Sequence, residues 1–166
     1  MRKIAIYLLL CAGCFGEQNT QDDHWKSLRF LIGSWDAKTS GGAQSSGWYA
    51  FAPDLKNHVL VRRSSADDCK AGSESICEHS DVLYIYSEVP GKLHAIYFDS
   101  EGHVIHYKVT SPTPASAVFF SDDSIPGPQY RLSYELAAGM MRGKFQLKIP
   151  GQADFKSYLE WSGARR

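Results

Sequence analysis

The chain has no excess of charge of either sign: 18 Lys and Arg balance 18 Asp and Glu, for a formal net charge of +0. No basic field is left to hold nucleic acid or an anionic bilayer, so neither is an expected partner. Long apolar runs are missing too. The longest, Ile4 to Ala12, falls well short of the about 20 residues a membrane-spanning helix needs. There is no Gly-x-Ser-x-Gly elbow, no phosphate-binding loop and no His-Glu-x-x-His helix, which weighs against serine hydrolases, nucleotide enzymes and zinc proteases together. Cysteine is scarce, four in 166 residues, without the paired spacing of a structural zinc site, so no metal is expected. Aromatic residues are plentiful at 13%, enough for one core of ordinary domain size and hardly two.

Met1-Arg2-Lys3 supplies a short basic start, Ile4 to Leu10 an apolar stretch, and Ala12-Gly13 small residues behind it. This is the anatomy of a secretory signal peptide, and it implies export. The expected division is a signal peptide at 1–16, a polar tether at 17–23 and one domain at 24–166. Leu10-Cys11-Ala12-Gly13-Cys14 resembles a bacterial lipobox, with Cys11 where that pattern usually has Leu. Two outcomes stay open: lipid attachment at Cys14, giving an envelope lipoprotein held to the membrane by that anchor, or ordinary cleavage near Gly13 or Gly16 and secretion. Cys69 and Cys77, separated by seven residues rich in Gly, Ser and charge, are expected to pair in an oxidising compartment. A bridge over so short a loop contributes about 2 to 3 kcal/mol, pinning the loop more than the fold.

Trp25, Leu28 and Leu31 fall at helical spacing before Gly33, predicting one or two helical turns. From Trp35 onward, short alternating runs recur between turn signals such as Val89-Pro90-Gly91, Ser100-Glu101-Gly102 and Ala138-Gly139. Tyr130, Leu132, Tyr134 and Leu136 alternate with polar residues, as do Met141, Gly143, Phe145 and Leu147. Phe155, Ser157, Leu159 and Trp161 are expected to share one face in the same way. A three-residue loop at Ser100-Glu101-Gly102, with Gly102 left-handed, would put Leu93, Ala95, Tyr97, Ile105, Tyr107 and Val109 on one face. About ten antiparallel strands result, and so long a sheet in so small a chain should curl. Closure into an all-β, up-and-down barrel removes its edges, with an open sheet or sandwich as the alternative.

Gly33-Ser34-Trp35 after a short helix is similar to the Gly-x-Trp entry to the first strand of lipocalins and their calycin relatives. Together with Leu60 to Ser64, Ala95 to Tyr107 and Phe155 to Trp161, it resembles a bacterial family of lipocalin-like barrels that carries no assigned activity. The resemblance implies a calycin-type barrel with a lumen. More distantly the chain resembles the haem-binding nitrobindin barrels, whose haem is held by a histidine late in the chain. The last histidine here is His106, no residue matches that ligand, and neither haem nor another cofactor is expected.

Arg62 and Arg63 are adjacent in a strand, so if the strand runs through both, one of them points inward. An inward guanidinium needs a carboxylate or an anionic ligand. It could anchor a ligand's polar end; equally, the pair could end a strand in solvent or pack over a ring such as Trp35. Tyr97, Tyr107, Tyr134 and Trp161 are expected inside, either as lining for an amphipathic ligand or as core. His103, Asp99 and Glu101 crowd the hairpin turn and could serve as acid and base or hold a cation, although a turn needs polar residues anyway. His94 and His106 are expected on the outer face. The segment Asp67 to Cys77 could cap the barrel mouth or merely decorate it. The leading expectation is an exported barrel binding a small apolar or amphipathic molecule. A filled structural barrel, and a small enzyme with an acid-base residue at the mouth, are the alternatives; none of these readings specifies an oligomeric state.

Overall fold

The computed structural model describes residues 25–40, 45–69, 79–124 and 126–166, with the backbone alone for 67–69. The signal peptide, the tether, Cys14 and Cys77 lie outside the described residues. A 3₁₀ helix, Lys26–Leu31, precedes ten strands: β1 (Gly33–Thr39), β2 (Ser45–Asp54), β3 (Val59–Cys69), β4 (Ser80–Val89) and β5 (Lys92–Asp99). They continue as β6 (Val104–Thr113), β7 (Ser116–Ser121), β8 (Gln129–Ala137), β9 (Met140–Lys148) and β10 (Lys156–Ala164). Every strand pairs antiparallel with its chain neighbour, and β1 closes on β10 to complete the barrel. Closure satisfies the backbone donors and acceptors that an open sheet would present at its edges.

Period-two patterning sets which face is inside. In β5 and β6 the pairs Leu93–Val109, Ala95–Tyr107 and Tyr97–Ile105 follow from a three-residue turn in which Gly102 takes φ +87°. His94 and His106 consequently point away from the core, and β8 buries Leu132 and Tyr134 as its alternation requires.

The run Phe155 to Trp161 departs from its expected alternation. A bulge between Ser157 and Leu159 inserts Tyr158, so Leu159 pairs with inward-facing Phe145 while Ser157 pairs with outward-facing Gln146. The extra residue reverses parity, and Phe155 lands on the outer surface beside Arg131, whose guanidinium carbon sits 4.5 Å from the ring centroid. Bulges of this kind let a strongly curved strand bend at a barrel rim.

The two ends of the barrel differ. One is plugged by the 3₁₀ helix, which buries Trp25, Leu28 and Leu31. The Trp25 indole donates to the Asn57 carbonyl at 3.2 Å, and the Trp35 indole donates to the Leu31 carbonyl at 2.8 Å. Each buried leucine there contributes about 1.5 to 3 kcal/mol. At the opposite end Leu159, although it faces inward, is 40% exposed, and Ile105, Tyr130 and Phe145 are only partly buried. Among the described residues no helix covers that end, the mouth of the barrel, and the segment expected as its cap lies at 70–77 outside them.

Candidate functional site

Arg62 is the inward member of the arginine pair; Arg63 faces solvent. Its lateral neighbours across the sheet are Phe51 and Leu83, and its guanidinium lies over the rings of Tyr49 (5.5 Å) and Tyr134 (6.0 Å). A charge in such surroundings demands a counter-charge. Asp81, the first inward residue of β4, supplies it: Arg62 Nη1 donates to Asp81 Oδ1 at 2.5 Å, and Ser64 Oγ donates to Asp81 Oδ2 at 2.6 Å. Burial pulls the Arg62 guanidinium down, but the Asp81 carboxylate together with Tyr134, Tyr97 and Tyr49 outweighs it, and the net direction is up. For Asp81 burial pushes up, while Arg62, His79 and Ser64 bring the net direction below the ordinary carboxylate range. Both groups are held charged.

Around this pair lie four buried polar atoms without a hydrogen-bond partner among the described residues: Tyr49 Oη, Tyr134 Oη, Trp161 Nε1 and Arg62 Nε. Their rings form one cluster. Tyr134 lies 5.8 Å from both Tyr49 and Trp161, and 5.4 Å from Phe51, centroid to centroid. Trp161 fits because Gly143 opposite it has no side chain: a Cβ there would come within 2.0 Å of the indole. Burial pushes the Tyr49 hydroxyl up to about 12 and those of Tyr97, Tyr107 and Tyr134 higher still, so all four stay neutral. Neutral phenols and an indole N–H make this interior a set of hydrogen-bond donors next to a cation.

From Asp81 polar contacts run outward to the rim. His79 Nε2 sits 3.6 Å from Asp81 Oδ2 and 3.3 Å from the Tyr97 hydroxyl, which also donates to Asp99 Oδ2 at 3.3 Å. The Asp81 carboxylate beside it is the main reason the His79 ring is lifted above the ordinary imidazole value. Partial burial pushes Asp99 up, but the His103 backbone and ring and the Glu101 backbone outweigh it, and its net direction is down.

The other sequence-selected residues divide by position. Tyr107 and Trp161 belong to the packed middle, Tyr97 to the mouth, and Trp35 to the plugged end. The arginine that covers Trp35 is Arg165, not Arg62; its guanidinium carbon is 4.5 Å from the ring centroid and also shields Gly33. Asp81, His79 and Tyr49 were not singled out in the sequence. Asp81 carried a signal, since it shares inward parity with Leu83 and Ile85. Outside the barrel, a cleft of about 570 Å³ lies over Ser133 and Gly143, bordered by the exposed Lys144–Glu160 pair at 2.7 Å. Its charges are already neutralised by each other.

These features define a closed ten-stranded antiparallel barrel with one end plugged by a helix and an ion pair inside. No family model and no curated protein matches the chain. Among solved structures it is similar to Rv2717c from M. tuberculosis, with a TM-score of 0.63 and 16% identity over 86% of this chain and 97% of that one. At that identity the likeness establishes a shared fold.

Proposed function

We propose that this chain is a calycin-like, small-molecule-binding barrel that admits an amphipathic ligand through its mouth. The ligand's apolar body would rest on Ile105, Tyr130, Phe145 and Leu159, with a compact polar end directed at the Arg62–Asp81 pair. The observation that carries this reading is the buried Arg62 over the Tyr49 and Tyr134 rings: its Nε, both tyrosine hydroxyls and the Trp161 indole N–H have no hydrogen-bond partner among the described residues, and inward apolar residues toward the mouth are only partly buried. Four donors ask for an acceptor, such as a carboxylate or carbonyl oxygen. The signal-like start at Met1 to Gly13 supports a setting outside the cytoplasm, either secreted or anchored through Cys14.

A filled structural barrel is the second reading, favoured by the tight packing of Tyr49, Phe51, Tyr134 and Trp161 in the middle. Native mass spectrometry of the full chain, purified without denaturant, separates the two. A stoichiometric small-molecule passenger, retained in Arg63→Ala and lost in the Arg62→Met/Asp81→Asn double variant, is the expected result. An empty protein that also leaves the fluorescent fatty acid cis-parinaric acid unbound would assign the filled barrel.

A further inference from the structure

The rim of the mouth gathers a second set of groups that the ligand reading does not use. His79, Asp99 and Glu101 each offer a ligand atom, and these atoms lie within 4.8 Å of one another. His79 Nδ1 is 3.4 Å from Glu101 Oε1, and His103 lies beside the group, its Nδ1 2.9 Å from Asp99 Oδ2 and 3.7 Å from Glu101 Oε2. A tetrahedral ion with bonds of about 2.0 to 2.1 Å has ligand atoms about 3.3 Å apart, and the 3.4 Å between His79 Nδ1 and Glu101 Oε1 meets that value. We propose that His79, Asp99 and Glu101 form a binding site for a divalent transition-metal ion of the zinc type, with His103 at its edge.

The ligand atoms come from different parts of the chain but are individually fixed. Asp99 Oδ1 accepts the Glu101 and His103 backbone N–H groups at 3.0 and 2.9 Å, which locks the carboxylate and leaves Oδ2 toward His103. His79 turns Nδ1 to Glu101, while its Nε2 faces the buried Asp81 carboxylate. An imidazole backed by a carboxylate on its second nitrogen is the arrangement that orients metal-bound histidines and raises their basicity. Asp81 is itself held by Arg62 and Ser64, so this backing belongs to the barrel interior and not to the turn. An imidazole with two carboxylates suits zinc, cobalt or nickel, with water completing the shell; magnesium and calcium prefer oxygen alone. The site stands whether or not the lumen takes a small molecule.

The test is zinc titration by calorimetry of the tag-free, chelator-treated full chain, with cobalt as the spectroscopic substitute. Expected are one zinc per chain against excess magnesium, and visible cobalt bands of a four-coordinate site without a thiolate charge-transfer band. His79→Ala and Glu101→Gln should each weaken binding at least about tenfold, and Cys69→Ser/Cys77→Ser should leave it unchanged. Glu101 is half exposed on a turn, so its variant keeps the test valid should His79→Ala fail to fold. No uptake at millimolar zinc, uptake that survives Glu101→Gln, or uptake lost with the cysteines overturns the proposal.

Discussion

Arg62 and Asp81 meet inside the barrel with side-chain exposures of 8% and 6%, 19 positions apart in sequence and on adjacent strands. Neither tolerates loss of the other, because the survivor becomes an unpaired charge in an aromatic interior. Arg62→Met or Asp81→Asn alone should therefore cost about 3 to 5 kcal/mol, and the double variant markedly less than the sum. Urea unfolding of the four proteins, as a double-mutant cycle, measures this. Strict additivity would show that the pair is not coupled.

The pH dependence has a sign that follows from the directions of shift. His79 is raised in the folded state, so its contribution is full below the unfolded imidazole value and fades as pH rises through the folded one. Asp81 is lowered, so its contribution holds above the ordinary carboxylate value and is lost as pH falls through the folded one. In chelator-treated protein, His79→Ala should thus destabilise more at about pH 5.5 than at about pH 9. Chemical denaturation of both proteins at the two pH values checks it, and an equal penalty at both refutes it.

Gly143→Ala should destabilise by about 1 to 3 kcal/mol or more, because a rigid indole occupies the space its methyl needs. Trp161→Leu in the same chain should restore part of the loss. Thermal melts of the single and double variants decide; a neutral Gly143→Ala would mean that Trp161 moves freely.

Arg165→Ala should cost about 0.5 to 1 kcal/mol through loss of its stacking on Trp35. Leu28→Ala, which removes volume from the plug beneath, should cost about 2 to 5 kcal/mol. Denaturant midpoints rank the two. The reverse order would place the main closure of that end in the arginine.

Much of the barrel was written in local pattern. Strand alternation, glycine turns and the helical spacing of Trp25, Leu28 and Leu31 name the elements because backbone geometry imposes periods of two and about three and a half on any chain. The hairpin at Ser100 to Gly102 was legible down to its register, since one residue's slip would have put Tyr97 and Tyr107 on opposite faces of the sheet. The exception was Tyr158: nothing in the alternation of Phe155 to Trp161 marks a bulge, which arises from the curvature of the closed sheet.

By itself, then, the sequence determined an all-β chain of about ten strands, a polar hairpin turn, and a pair of arginines of which one faces inward if the strand runs through both. Only the tertiary structure decided that the inward residue was Arg62, that Asp81 answered it, that Arg165 covered Trp35, and that His79 joined the turn residues at the rim. The reason is range. Periodicity says which face a residue takes along its own strand, whereas the partner it meets depends on the register and tilt of neighbouring strands, set when the whole barrel closes.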